Sequence, residues 1–471
     1  MRDASVLRDA LARTFERAGV DEALEGAGGP LGQPLTVAGM TIGNRFCVHP
    51  MEGWDAEPDG RPSEQTLRRW RRFGQSGAKL VWGGEAFAVC ADGRANPNQL
   101  FMPDDPSEAR PGLEALLAEL RAGHVESGFS TDDLAVGLQL THSGRFSRPT
   151  AAGPAPRVAF RHPVLDPRVG VDSDAAVLTD GELEGIAERY VVAARLARDV
   201  GFDFVDVKCC HGYLLHETLA ARRRSGPFGG AFENRIALLC GIVGAIRHEC
   251  PELEVGVRMS VSDVYPHRDE DGQGKPDALE QNLPYDCGFG VDPSDPLRPA
   301  LDEPLALIRA LESIGVSMVN VTIGSPYTCP HAQRPAAYPP SDGYASPNDP
   351  LDSVARHLEI TSRVKAAFPA LAVVGSGYSY LQEWVAHVAQ HEVRAGHVDF
   401  VGLGRMMLSY PDLCADVLGG RPLDRKKICR TFSDCTTGPR HGMVSGCFPL
   451  DPYYRERPEA AEIKKLRSKR S

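Results

Sequence analysis

The sequence has no run of about 18 or more apolar residues, so no membrane-spanning helix is expected. It also lacks a basic excess. The 52 Lys+Arg against 63 Asp+Glu leave a formal net charge of −11 over 471 residues. That balance argues against nucleic-acid or anionic-membrane partners, which demand a basic surface. Cysteine is sparse: twelve residues fall far below the roughly 8–10% of a small disulfide scaffold. Met1–Gly19 is charged and amphipathic, without the apolar stretch of a secretory signal. A cytoplasmic, reducing location with mostly free thiols is the expectation. There is no GxGxxG turn of a second dinucleotide domain, and no internal repeat at roughly 20–50 residues beyond a strand–helix alternation.

That alternation is what the chain does contain. Length alone suggests about three domains of roughly 150 residues, but α/β barrels exceed that prior as single units. Eight apolar runs are separated by helix-period segments: Arg45–Met51, Lys79–Val89, Leu134–His142, Phe202–His211, Leu253–Ser260, Ser317–Gly324, Leu371–Ser379 and Val398–Met407. They are apolar on both faces, as parallel strands covered by helices are. In the clearest helical segment, Gly181–Val200, the residues Leu183, Ile186, Tyr190, Ala193 and Ala197 share one face, and Thr179 with Glu182 has capping-box spacing. Eight such units predict an α/β fold of TIM (β/α)8 barrel type. The expected organisation is an N-terminal helical extension over 1–30, the barrel over 31–420 and a cysteine-containing tail over 421–471. Long loops follow strand five (Asp263–Pro299) and strand six (Ser325–Pro350), where barrels carry lids and substrate walls. The terminal IKKLRSKRS is expected to fray.

The strand ends concentrate polar chemistry. Strand seven ends in Gly375–Ser376–Gly377 and strand eight in Gly402–Leu403–Gly404–Arg405, a pairing suited to phosphate at the usual site of this fold. Gln139, His142 and Arg145 close strand three. Arg258 closes strand five, where a buried guanidinium needs an anionic partner. Strand four ends with Lys208 and Cys210 on one face, then His211 and Tyr213; the Lys, His and Tyr together are able to bind an oxyanion or carbonyl oxygen and to deliver a proton.

Taken together, NRFCVHPM (Asn44–Met51), GGEAFAVCADGRANPNQL (Gly83–Leu100), QLTHSGR (Gln139–Arg145), HGYLLHETL (His211–Leu219), FGGAFENR (Phe228–Arg235), GVRMS (Gly256–Ser260), GSG (Gly375–Gly377) and GLGR (Gly402–Arg405) resemble the Old Yellow Enzyme family of FMN-dependent NAD(P)H:flavin oxidoreductases. The resemblance covers roughly residues 31–420. It implies FMN as cofactor and NAD(P)H as reductant, with Pro50, Met51 and Ala86 along the flavin ring, Gln139 and Arg258 at its pyrimidine edge, and Gly375, Gly377, Gly404 and Arg405 around the phosphate. It further implies Tyr213 as proton donor and His211 as a ligand of the substrate carbonyl oxygen. Two positions depart from the family. Lys208 replaces the usual first residue of the carbonyl-binding pair, giving a point charge suited to an anionic substrate group, a base, or an ion pair with Glu52, Glu85 or Asp206. The family's SPxxNxRxDxYGG run reads Ala221–Gly230 (ARRRSGPFGG) here.

The larger relatives, of the 2,4-dienoyl-CoA reductase and trimethylamine dehydrogenase types, carry a four-cysteine iron–sulfur site after the barrel and a C-terminal nucleotide domain. Cys429, Cys435 and Cys447 stand in that region with Phe432 where the second ligand is expected. An iron–sulfur cluster is therefore not expected, no metal ligand is assigned, and the nucleotide domain is expected to be absent. The leading functional expectation is NAD(P)H-driven reduction of an electron-poor alkene on a small carbonyl-bearing or anionic molecule. The alternatives are a flavin-dependent dehydrogenase or demethylase, a Schiff-base aldolase barrel using Lys208, and an inactive flavin-binding protein. A homo-oligomer and an external electron donor are both compatible with the sequence.

Overall fold

Buried β-branched and aromatic runs leave the strands no polar face, so they close on themselves. The computed structural model describes residues 3–468. Nine strand segments form one closed parallel sheet with eight positions: β1 (Phe46–Val48), β2 in two pieces (Leu80–Val81 and Ala86–Ala88), β3 (Ala135–Thr141), β4 (Phe204–Val207), β5 (Glu254–Ser260), β6 (Met318–Thr322), β7 (Ala372–Gly375) and β8 (Phe400–Leu403). Leu80–Val81 pairs with both β1 and β3, and β8 pairs with β1, which completes the ring. Every run expected to be a strand supplies one position of a TIM (β/α)8 barrel. The second run differs in detail. It breaks at Gly83 and Gly84, whose φ values of +114° and +50° no larger residue adopts cheaply. A Cβ on Gly83 would lie 2.7 Å from the Gln139 nitrogen, so the break lets β2 press its backbone against β3.

Seven helices of ten residues or more alternate with the strands: α1 (Glu64–Gln75), α2 (Arg110–Glu126), α3 (Asp180–Val200), α4 (Phe232–Glu249), α5 (Asp302–Ser313), α6 (Pro350–Ala367) and α7 (Val385–Arg394). The capping box on α3 forms as its sequence predicts, and the helix stops at Gly201 in the left-handed region. Leu183, Ile186, Tyr190, Ala193 and Ala197 are all buried, each large side chain contributing about 1.5–3 kcal/mol of transfer free energy. A short antiparallel hairpin, Leu35–Val37 with Met40–Ile42, packs Val37 and Ile42 against Trp82, Phe204, Met318 and Phe400. It plugs the N-terminal mouth and leaves the chemistry to the C-terminal one.

The two long loops behave differently. Asp263–Pro299 folds into two hairpins and stays off the central cavity. Arg222 and Arg223 from the departing Ala221–Gly230 run hold it, Arg222 donating to the Gly288 carbonyl at 2.7 Å and Arg223 to Asp286 at 2.9 Å. Ser325–Pro350, in contrast, walls the cavity. Downstream, the 421–468 segment docks on the barrel rim: Arg68 pairs with Asp451 at 2.9 Å, and the Trp54 amide donates to Ser445 Oγ at 2.8 Å. A helix runs over Glu459–Ser468, so the part of IKKLRSKRS within it is not frayed, while 469–471 lie outside the described residues. All twelve cysteines are unpaired. Among the described residues no helix is long and apolar enough to cross a membrane.

Candidate active site

A cavity of about 250 Å³ lies across the C-terminal ends of the strands. Of the positions singled out from the sequence, Pro50, Met51, Gln139, Lys208, His211, Tyr213, Arg258, Gly377, Gly404, Arg405 and Cys435 line it. Ala86 and Gly375 do not. Ala86 is fully buried and its carbonyl accepts from Gln99 at 3.1 Å, while Gly375 sits one layer down, under Gly402. Cys429 and Cys447 line a separate void with Cys435.

Five cations, Lys208, Arg258, Arg334, Arg405 and Arg440, line the main cavity, and Glu52 is the one carboxylate among its described lining residues. This local excess is opposite in sign to the whole chain. At one end, Arg405 donates to the Pro335 carbonyl at 2.7 Å, but its buried Nη1 has no hydrogen-bond partner among the described residues. The same holds for Arg334 Nη2 and, toward the middle, for Arg258 Nε. Guanidinium N–H groups left buried and unmet cost about 1–3 kcal/mol each or more, so this end is built to receive acceptors. Gly377 has φ +94°, and a Cβ there would meet the His357 ring at 3.0 Å; a Cβ on Gly404 would meet Met51 Sδ at 3.2 Å. Only glycine keeps that floor open. A phosphate-bearing, planar, polar-edged cofactor such as FMN fits these donors.

Gln139 is held by its amide nitrogen donating to Asp206 at 2.6 Å, and the other Asp206 oxygen accepts from the Arg258 backbone at 2.6 Å. Burial pushes the Asp206 carboxyl up to about 6 despite those donors. Asp206, on β4, thus aligns the two residues that the family resemblance placed at the flavin edge.

At the opposite end, Tyr213 donates to Glu52 Oε2 at 2.6 Å and lies 2.9 Å from Tyr327 Oη. Lys208 Nζ stands 3.8 Å from the same Glu52 oxygen and 3.7 Å from the Tyr213 ring centroid. Of the three partners the sequence offered for Lys208, the structure selects Glu52. Burial lowers the Lys208 pKa, and burial with the adjacent Glu52 raises that of Tyr213. His211 adopts φ +67°; its carbonyl accepts from Ser325 Oγ at 2.6 Å and its Nε2 lies 3.0 Å from the Gln333 amide nitrogen. Burial, with Arg258 and Lys208 nearby, drives its pKa well below 6.5, so the ring is neutral.

Glu52, Trp54, Tyr327, Arg334 and Arg440 escaped the sequence reading as site residues. Glu52 stands directly after the NRFCVHPM run, a usable signal. Trp54 follows two residues later, while Tyr327 and Arg334 come from a proline-rich loop and Arg440 from the downstream segment, where no periodicity marks a side chain as inward-facing. One further cluster, Cys90, Asp92 and His142, brings ligand-type atoms within 4.8 Å of one another. The Gly144 amide donates to His142 Nδ1 at 3.1 Å. The neutral ring's proton is then on Nε2, facing the cluster as a donor, which is the wrong polarity for a metal ligand. Cys429, Cys435 and Cys447 line one small void together, with Phe432 on its wall.

A closed (β/α)8 barrel with glycine turns at strands seven and eight, Arg405 beside them, and a polar edge at strands three and five fits a flavin-binding oxidoreductase barrel. Residues 30–274 match the model of the NADH:flavin oxidoreductase / NADH oxidase family, and the chain belongs to that family. It is 27% identical to the NADPH dehydrogenase of Geobacillus thermodenitrificans (strain NG80-2) over 390 residues, covering 80% of this chain and 90% of that one. The NADPH dehydrogenase of Geobacillus sp. (strain WCH70) is 31% identical over 244 residues, covering 50% and 64%. The fold resembles a 2-naphthoyl-CoA reductase in complex with 2-naphthoyl-CoA, with TM-score 0.66 and 18% identity, over 92% of this chain and 58% of that chain. It also resembles the Old Yellow Enzyme homologue of Zymomonas mobilis, with TM-score 0.55 and 19% identity, over 84% and 94%. The protein is an FMN-dependent NAD(P)H oxidoreductase of Old Yellow Enzyme type.

Proposed function

We propose that the enzyme reduces an electron-poor alkene conjugated to a carbonyl, on a small molecule carrying a carboxylate or similarly anionic group. Bound FMN supplies hydride chemistry, recharged by NAD(P)H. Arg405, Gly377 and Gly404 hold its phosphate end; Arg258 and Gln139 meet its polar ring edge, oriented by Asp206. His211, neutral and fixed by Gln333 and Ser325, binds the substrate carbonyl oxygen. Tyr213 delivers a proton to the carbon next to that carbonyl, so that one new C–H bond forms as its O–H bond breaks. Tyr327, stacked at 4.2 Å on Phe146, and Trp54 form aromatic walls for a flat substrate.

The single observation that carries this reading is Tyr213 Oη, buried in the cavity and already in a 2.6 Å hydrogen bond. The excess of cationic lining residues supports an anionic substrate. The direction of that hydrogen bond, from Tyr213 to a carboxylate, also favours a second reading in which the same residues remove a proton during a dehydrogenation. The test is anaerobic reduction of the holoenzyme by NADPH followed by mixing with 2-cyclohexen-1-one or a carboxylated enone. Reoxidation with formation of the saturated ketone supports the first reading; flavin bleaching that no enone reverses rejects it.

A further inference from the structure

We propose that Glu52 is part of the proton-transfer machinery: it resupplies the proton that Tyr213 gives to substrate, and Lys208 balances the charge of that pair instead of binding substrate. The inference rests on the role given to Tyr213 above and extends it.

Once Tyr213 has donated, it is a phenolate in a site where its own residue is 2% exposed, and a buried unpaired charge is costly. It must regain a proton before the next turnover. The atom placed to supply it is Glu52 Oε2, 2.6 Å away. Side-chain exposure orders the cluster: Lys208 is 5% exposed and Glu52 17%, so Glu52 is the member that meets water. A proton taken from water by the Glu52 carboxylate crosses the existing hydrogen bond to the Tyr213 oxygen. The net result is one solvent proton on the substrate carbon, with both side chains restored. Lys208, in contact with both partners, keeps one positive charge beside one negative charge whether the latter is on Glu52 or on Tyr213. In the opposite direction the same atoms carry a proton from substrate to water.

Glu52 is held to this task by its neighbours. The Met51 amide donates to the Gly84 carbonyl at 3.0 Å, the Gly53 amide donates to Glu85, and the Gly53 carbonyl accepts from Asn96 at 3.2 Å. A residue fixed on both sides by backbone hydrogen bonds presents its carboxylate at one place.

The test uses FMN-loaded Glu52→Gln, which keeps the shape and loses the proton site. Reoxidation of the reduced variant by 2-cyclohexen-1-one is expected to slow at least about tenfold more than reduction by NADPH does, with a changed solvent deuterium isotope effect, and Glu52→Asp should recover part of the loss. An independent readout is the ultraviolet phenolate titration of Tyr213, isolated by subtracting Tyr213→Phe. In Glu52→Gln its midpoint should fall by about one pH unit or more, as expected when a carboxylate in contact is removed. Equal slowing of both half-reactions, or an unmoved phenolate midpoint, overturns the proposal. If the wild-type holoenzyme is reduced but never reoxidised by any enone, alkene reduction is rejected, and the titration still decides Glu52.

Discussion

The two ends of the cavity solve opposite problems with similar residues. At the end floored by Gly377 and Gly404, Arg334 and Arg405 keep buried N–H groups without partners among the described residues. At the other, Tyr213 is hydrogen-bonded to Glu52, and Lys208 lies beside both as an ion-pair and cation–π partner. Unmet donors bind: their desolvation is offset only when a ligand arrives. A closed acid–base cluster reacts: its hydrogen bonds exist before substrate enters, and a proton shifts along them without reorganisation. On the function proposed above, the site separates holding from chemistry.

The contrast breaks most sharply at Tyr213. Tyr213→Phe is expected to slow reoxidation by an enone ~10²–10⁴-fold, the range for a lost general acid, while the purified protein keeps its flavin spectrum. Loss of flavin instead would mean that the reacting end also binds. Next is Arg69, which supports the Glu52 loop through pairs with Asp55 and Glu85, both at 2.7 Å, and is 4% exposed. Arg69→Ala should cost about 3–5 kcal/mol of stability by leaving two buried carboxylates unpaired, read as a lowered denaturant midpoint. A change below about 1 kcal/mol would show that this network does not hold the loop.

Arg405→Ala should weaken FMN by about 10- to 100-fold, one charged hydrogen-bonding partner at about 1.5–3 kcal/mol, measured by fluorescence titration of the apoprotein. An unchanged affinity would remove the binding end from the comparison. The smallest effect is pH-linked. Burial holds His49 and His211 well below 6.5, and His142 and His357 at about 4. The unfolded chain takes up those protons first, so stability falls as pH drops from 6.5 toward 4. Asp206, raised to about 6, and Glu85, raised to about 7, work in the opposite sense over an overlapping range. A modest net decline in Tm across that window is expected; a rise would mean the carboxylates dominate.

Much of this was legible in the sequence where chemistry is local. Thr179 and Glu182 announce a helix start because a capping box involves four consecutive residues. Gly404–Arg405 announces a turn suited to an anion because the donors are adjacent along the chain. Lys208 was visible but its partner was not, since Glu52 lies on a different strand end and three carboxylates were equally plausible. The loop after strand five looked like a cavity wall, yet Arg222 and Arg223 hold it off the cavity, an interaction between two segments far apart in the chain. Arg334 and Arg440 carry no local mark at all.

By itself, then, the sequence determined the number of strand–helix units, the barrel, the flavin family and most of the strand-end residues. Hydrophobic period, capping and turn chemistry act over a few residues and can be read in order. Only the tertiary structure decided which charges meet. It gathered five cations and one carboxylate into a single cavity of an acidic chain, left one buried nitrogen on each of Arg258, Arg334 and Arg405 without a partner among the described residues, and set Lys208 beside Glu52 and Tyr213. Charge pairing depends on distances across strand ends, and those exist only once the barrel has closed.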